Sequence, residues 1–404
     1  MHSFKIRFRL YDLLFYLLLV FSFYYTRNMM CRLMMVVFFC YTILQQIVRK
    51  SKTRISFFYV GFLIFILYGA TNIVLDNVIN VSVARTMVVS LFLNFLMIYA
   101  IVQYVYITND IRRVIRITEF GIFTTAFVVM LLSWKTITQG RLGGGTEINA
   151  NFLSLLCVYG FALCMYLHKI GKFTKFAYWF RIFFYTLAVL LTGSRKGVIM
   201  IAVVIVIVQV VSEKKSFTRI IRKVLLSFCV IAVGYILVMN VDMFYNIMGV
   251  RIENLFKLLT EGSTEEGSLK TRKMLVEIGM KYIREKPWTG YGYDCFKMIS
   301  GMNGDGLVAA GEVGFYAHNN YIELLFGGGI IGFVLYYIPI VYLLKNLIKG
   351  ISIDLCMPYL LAIFLAKLTV EYAHVAYYSR VDAYIIAVML GCMLLSYKMQ
   401  DRIK

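Results

Sequence analysis

Apolar runs of about 17–25 residues recur from one end of this chain to the other, each long enough to cross a bilayer as a helix. Inside hydrocarbon every backbone N–H and C=O must find a partner within the protein, which leaves only helices and closed barrels. The runs are continuous rather than alternating in polarity, so a transmembrane β-barrel is excluded. With 61% of 404 residues hydrophobic and only 16% charged, the chain reads as an all-α, polytopic integral membrane protein.

Twelve spans are predicted, at roughly 10–26, 33–48, 56–75, 82–107, 117–134, 151–168, 176–193, 197–212, 224–241, 319–344, 354–376 and 382–398. One long hydrophilic stretch, 242–318, interrupts them. The expected organisation is nine spans over residues 1–241, a large extracytoplasmic loop over 242–318 and three spans over 319–404. Lys5, Arg7 and Arg9 before the first run resemble the start of a signal peptide. No small-residue cleavage site follows, so the run counts as the first span.

Short cytoplasmic segments collect Lys and Arg, whereas long loops do not obey this rule. With the N-terminus inside, most cations of the short segments fall on the inner side. The short outer segments carry only Arg27, Arg32, Lys135, Arg141, Arg195, Lys196 and Arg380. Both termini are therefore expected in the cytoplasm and the long loop outside. The net charge of +21 is explained by these anchoring loops and does not call for nucleic acid. The 8 cysteines show no CxxC pair or metal-ligand spacing, so neither disulfide nor zinc is expected.

Cations on the outer side are the exceptions, and each has two readings. Arg195 and Lys196, in "LLTGSRKGVIM", either decorate a solvated turn or hold an anion at the membrane face. Arginine suits phosphate because its fork matches two oxygens. Arg85, near the outer start of the fourth span, has the same two readings. Arg181, near the inner end of the seventh, reads as a side chain snorkelling to the headgroups. Lys367, Glu371 and His374 follow i, i+4, i+7 spacing, placing them on one face of a span, where they read as a structural ion pair in preference to a proton relay.

Within the long loop, "RIENLFKLLT" and "SLKTRKMLVEIGMKYIREK" read as helices, the second with an apolar stripe of Leu275, Ile278 and Tyr282 and a stop at Pro287. The aromatic segment "WTGYGYDCF", containing Tyr291, follows. "AHNNY" then opens the tenth span. Asn319 and Asn320 read as helix caps, and His318 as a side chain able to take a proton near neutral pH. Gly328 and Gly332, at GxxxG spacing in the next run, read as a close helix-packing face.

The segment "PWTGYGYDCF…AHNNYIELLFGGGIIGFVLYY", with "LLTGSRKG" and "SLKTRKM" before it, resembles the O-antigen ligase/polymerase superfamily over roughly residues 180–345. That resemblance implies a C-type glycosyltransferase-like fold and transfer of a glycan from an undecaprenyl-diphosphate carrier at the outer face of a bacterial cytoplasmic membrane. It implies that Arg195 and Arg272 hold the diphosphate and that His318 acts on the acceptor. Arg85 and Lys196 join them as candidate phosphate contacts, with Asn319, Asn320, Arg380 and Tyr291 in support. Lys196 departs from the small residue many members carry after the arginine.

The chemistry agrees with the residues themselves. Cleavage of a sugar–diphosphate bond puts negative charge on the leaving group, which pre-placed cations stabilise. A neutral His318 would deprotonate the attacking hydroxyl, and attack opposite the leaving group inverts the anomeric centre. No acidic cluster suggests a metal, and no cofactor is expected. The expected partners are the lipid-linked donor, a glycan acceptor, membrane lipids and other assembly proteins such as a flippase or chain-length regulator. The favoured reading is a surface-polysaccharide polymerase, with a ligase as the alternative. A transporter of lipid-linked sugars is a third, disfavoured because no internal repeat is found.

Overall fold

The helices of this protein begin and end where short polar side chains can serve the backbone groups left over at their termini. Its structure, a computed structural model, describes residues 9–24, 29–51, 55–133, 141–143, 148–212, 238–261, 267–302 and 314–401, together with isolated positions between 213 and 237. Among these residues it is helical with no strand. The helices are α1 (Leu10–Tyr24), α2 (Met29–Val48), α3 (Phe57–Val74), α4 (Val81–Thr108), α5 (Ile111–Leu132), α6 (Ala150–Lys169), α7 (Lys175–Leu191) and α8 (Arg195–Ser212). After a short helical turn at 242–249 come α9 (Val250–Glu261), α10 (Gly267–Glu285), α11 (Phe296–Met302), α12 (Asn320–Gly350), α13 (Met357–Val370) and α14 (Arg380–Asp401).

Capping explains the tight connection between α4 and α5. Asn109 takes the left-handed conformation (φ 52°) and its N–H donates to the carbonyl of Val105, ending α4. The next residue, Asp110, accepts from the N–H of Arg113 at 3.1 Å and starts α5. Asparagine tolerates the one conformation, and aspartate suits the helix N-terminus.

Eleven of the twelve expected spans coincide with helices; the ninth, 224–241, lies mostly outside the described residues. Among the described residues, 7 helices are long and apolar enough to cross a membrane: α2 to α6, α12 and α14. Burial separates their places in the bundle. The most apolar stretch of α6 is 83% buried and that of α2 only 28%, so α6 is central and α2 faces outward. The C-terminal α14 packs along α4, α13 along α8 and α6, and α12 along α3.

Three local expectations are corrected. The span predicted over 354–376 is helical only to Val370; Glu371–Ala373 form a 3-10 turn and His374 is extended. Lys367 and Glu371 do pair, fully buried, but His374 has left their helix face. Arg181 does not snorkel. Its Nη1 lies 2.7 Å from Glu119 Oε1, and its guanidinium sits 4.1 Å from the centre of the Phe123 ring. A buried carboxylate on the neighbouring helix is a better partner than distant headgroups. Gly332 does form a close packing contact, against Tyr68 of α3, but Gly328, read as part of the same face, lies against the loop residue Tyr293 instead.

That last correction exposes the main irregularity. Helix α12 is broken at Gly329, whose φ of 61° and ψ of −166° are non-helical. In an unbroken helix the N–H groups of Ile330 and Ile331 would bond the carbonyls of Phe326 and Gly327. Here the loop after α10 takes both sides of those lost bonds. Tyr291 N and Gly292 N donate to Phe326 O and Gly327 O at 2.8 Å, while Ile330 N donates to Pro287 O at 2.8 Å and Ile331 N to Trp288 O at 3.2 Å. Unpaired groups at this depth would cost several kcal/mol each, so broken helix and loop require one another. A Cβ on Gly329 would stand 2.2 Å from the Trp288 carbonyl oxygen.

The loop helices carry a small core of their own. Leu275 and Ile283 of α10, Phe296 and Ile299 of α11, and Ile322 and Phe326 of α12 are buried together. The expected stripe on α10 is present, with Leu275 fully buried and Ile278 and Tyr282 packed against this cluster. It fixes α10 against the start of α12, and so fixes the neighbourhood of His318.

Candidate functional site

His318 sits at a turn the local sequence forces. Asn319 caps α12, its Oδ1 accepting from Tyr321 N at 2.9 Å and Ile322 N at 3.2 Å. One turn into the helix, buried Glu323 reaches back and accepts from Ala317 N at 2.7 Å. Held from both sides, His318 takes a left-handed φ of 54°, uncommon for a residue with a side chain. Its ring rests on that of Tyr316, centroids 3.9 Å apart.

Asn320 does more than cap. It is fully buried, and its Oδ1 accepts from Ala376 N and Tyr377 N at 2.9 and 3.1 Å. Its Nδ2 donates to Glu371 Oε2 at 3.1 Å and Tyr337 OH at 3.0 Å. This one amide ties the start of α12 to the irregular segment between α13 and α14, which carries His374. His374 Nε2 is 2.9 Å from buried Asp382 Oδ2, and Tyr159 OH donates to the other carboxylate oxygen at 2.9 Å.

The cations arrive from elsewhere. Gly193, at φ 60°, makes the sharp reversal before α8, in a place where a Cβ would stand 2.7 Å from Ile247 O. Arg195 Nη1 then donates to the Arg251 carbonyl at 2.6 Å, and Lys196 Nζ to the carbonyl of Ala373, next to His374. Arg141 joins them, its Nε donating to Thr192 O at 2.6 Å and its Nη2 to Asn151 Oδ1 at 3.2 Å. The charges of Arg272, Arg141 and Arg195 all bear on Lys196. Those of Arg272, Lys196 and His374 bear on His318.

His318 feels the consequence. Burial first, and then the neighbouring Arg272, Lys196 and His374, pull its pKa down to about 4. Both causes disfavour the imidazolium, so at neutral pH the ring is uncharged and able to accept a proton. An uncharged imidazole therefore stands beside Lys196 and Arg272.

Of the residues the sequence proposed, Lys196 and Arg272 lie within electrostatic range of His318, and Arg195 within range of Lys196. Arg85 is exposed on α4, and no described contact ties it to the cluster. Arg380 bonds Cys31 Sγ at 3.6 Å, linking α14 to α2. Tyr291 stacks on Phe326 with centroids 5.0 Å apart and donates to Glu285 at 3.3 Å, so it secures the loop in the break of α12. Sequence reasoning did not single out Glu323 or Asp382, and it counted Arg141 only among the outer-side cations. Glu323 was the most accessible of these, lying four residues after the capping Asn319 as a carboxylate in an apolar run.

Residues 180–337 match the family model described as O-antigen ligase. The match includes Arg195, Lys196, Arg272, Tyr291, His318, Asn319 and Asn320, and excludes Arg85 and Arg380. The chain matches no curated protein.

Proposed function

The chain belongs to the O-antigen ligase/polymerase superfamily, and from that premise we propose that it is a bacterial membrane glycosyltransferase that polymerises polyprenyl-diphosphate-linked oligosaccharide repeat units at the outer face of the cytoplasmic membrane. The observation that carries this is the convergence on His318 of cations from separate elements, Lys196 on α8 and Arg272 on α10.

In this reading Arg195, Arg272 and Lys196, joined by Arg141, take the donor diphosphate and stabilise the charge that develops as the sugar leaves. The acceptor hydroxyl lies against His318, which removes its proton as the oxygen attacks the anomeric carbon from the face opposite the diphosphate. The product is inverted and no metal is needed. The same cations that depress the pKa of His318 are neutralised when the diphosphate arrives. The base therefore strengthens once the donor is bound and stays weak in the empty site. Asn319, Asn320 and Glu323 position the histidine without touching substrate.

The family's name favours a second reading, transfer of a finished glycan to a lipid or protein acceptor. Protein reconstituted in vesicles with one lipid-diphosphate repeat unit separates the two. A ladder of products without any further acceptor supports the polymerase. A single added band that requires a second acceptor supports the ligase. No transfer with either would overturn glycosyl transfer itself, and loss of activity in EDTA would overturn the metal-free mechanism.

A further inference from the structure

Helix α12 runs from Asn320 beside His318 to Gly350 at the other end of the bundle, where a separate cavity of about 980 Å³ opens between α1, α5, α6 and α7. Five cations line it: Arg112, Arg113, Arg116, Lys172 and Arg181. Two are neutralised by the fold, Arg113 by Asp12 and Arg181 by Glu119. The other two lining carboxylates, Asp110 and Asp354, are held by neutral donors and keep their charge, so four carboxylates face the five cations. Asp110 accepts from Arg113 N at 3.1 Å. Asp354 accepts from Cys356 N at 2.8 Å and from Ser396 OH at 3.3 Å. Arg112, Arg116 and Lys172 make no described ion pair.

Two buried atoms in this wall have no hydrogen-bond partner, Arg116 Nε and Glu119 Oε2. Glu119 is itself fully buried. Arg112, Arg116 and Glu119 follow i, i+4, i+7 along α5 and so share one face. Both atoms are shut off from solvent, so the groups left to meet an anion in the cavity are Arg112, Arg116 and Lys172.

The surroundings indicate where such a ligand comes from. Phe120 is both a cavity wall and 39% exposed. On α7, which supplies Arg181 to the cavity, Phe176 and Trp179 are 82% and 64% exposed. Trp at this level is characteristic of the headgroup zone. The charge bias of the connecting segments puts this end at the cytoplasmic leaflet.

We propose that this cavity binds the headgroup of an anionic phospholipid. The phosphate lies on Arg112, Arg116 and Lys172, and the acyl chains run out past Phe120. Basic pockets between transmembrane helices are suited to such headgroups. The inference does not depend on the glycosyl-transfer reading.

The test is native mass spectrometry of the full chain, delipidated in detergent and titrated with phosphatidylglycerol or with phosphatidylcholine of the same acyl chains. Phosphatidylglycerol should be retained about tenfold better or more. The preference should fall to within about twofold in the R116Q/K172Q double variant and persist in Arg116→Lys. Glycerol 3-phosphate at the lipid's own concentration should not displace it. Equal retention of the two lipids, an unchanged preference in the double variant, or displacement by glycerol 3-phosphate would overturn the proposal, the last by pointing to a soluble anion. Should the double variant not fold, the wild-type lipid ratio, the competition and Arg116→Lys still decide.

Discussion

The two ends of the bundle treat positive charge differently. At the end opposite His318, Arg113 and Arg181 meet carboxylates, Asp12 and Glu119, that the fold supplies from neighbouring helices. At the His318 end, the described partners of Arg195, Lys196 and Arg141 are carbonyls and an amide. A carbonyl orients a cation without cancelling its charge. One end therefore uses arginine to hold helices together through carboxylates. At the other, cations from α8 and α10 act on a histidine, the arrangement on which the proposed diphosphate site rests.

If that contrast holds, substitutions at the two ends should fail in different ways. His318→Ala should lower turnover by roughly 10²–10⁴-fold with little change in melting temperature. Glu119→Ala should do the reverse. It strands Arg181 in a site from which Glu119 was fully hidden, at a cost of about 3–5 kcal/mol, visible as poor yield and a lower melting temperature in detergent. A folded, stable Glu119→Ala protein would break the comparison.

Gly329→Ala tests whether the broken helix serves the site or only the fold. The left-handed φ and the contact with Trp288 O should cost about 1–3 kcal/mol. The loop bearing α10 and Arg272 should loosen, which limited proteolysis near 288–292 would report.

The pH dependence sharpens the electrostatic half of the argument. The imidazolium of His318 is disfavoured by burial and by Arg272, Lys196 and His374, so its proton is lost near pH 4 in the free protein. The acid limb of kcat/KM should fall there, because protonated His318 cannot accept a proton. The acid limb of kcat, set by the donor-bound state, should lie at higher pH. Arg272→Ala removes one of the depressing charges, so the kcat/KM limb should move upward while the donor KM rises. Identical limbs for kcat and kcat/KM would remove the donor-assisted step.

The smallest effect is expected for Arg85→Ala, under about twofold in donor KM, since an exposed charge contributes little. A larger loss would return Arg85 to the site.

Much of the site was readable from the chain because its signals are local. The order of "TGSRKG", the loop arginine and "AHNNY" marks three short segments, and the apolar runs place each beside a helix end. What those segments meet was not readable. Arg85 looked equivalent to Arg195 because both begin a span, and only packing shows which face of α4 points away. Arg181 looked like a snorkelling side chain because Glu119 lies on another helix, 62 residues away in sequence.

Sequence by itself determined the class of molecule and the candidate chemistry. Hydrocarbon admits few backbone solutions, and few side chains can accept a proton or grip a diphosphate. Tertiary structure alone decided that the glycine run in α12 is a break filled by the loop, that Asn320 binds the segment of His374 to that of His318, and that burial and nearby cations lower the pKa of His318. Each depends on groups far apart in the chain meeting within a few ångströms, and hydrogen bonds and Coulomb interactions act at that range whatever the sequence separation.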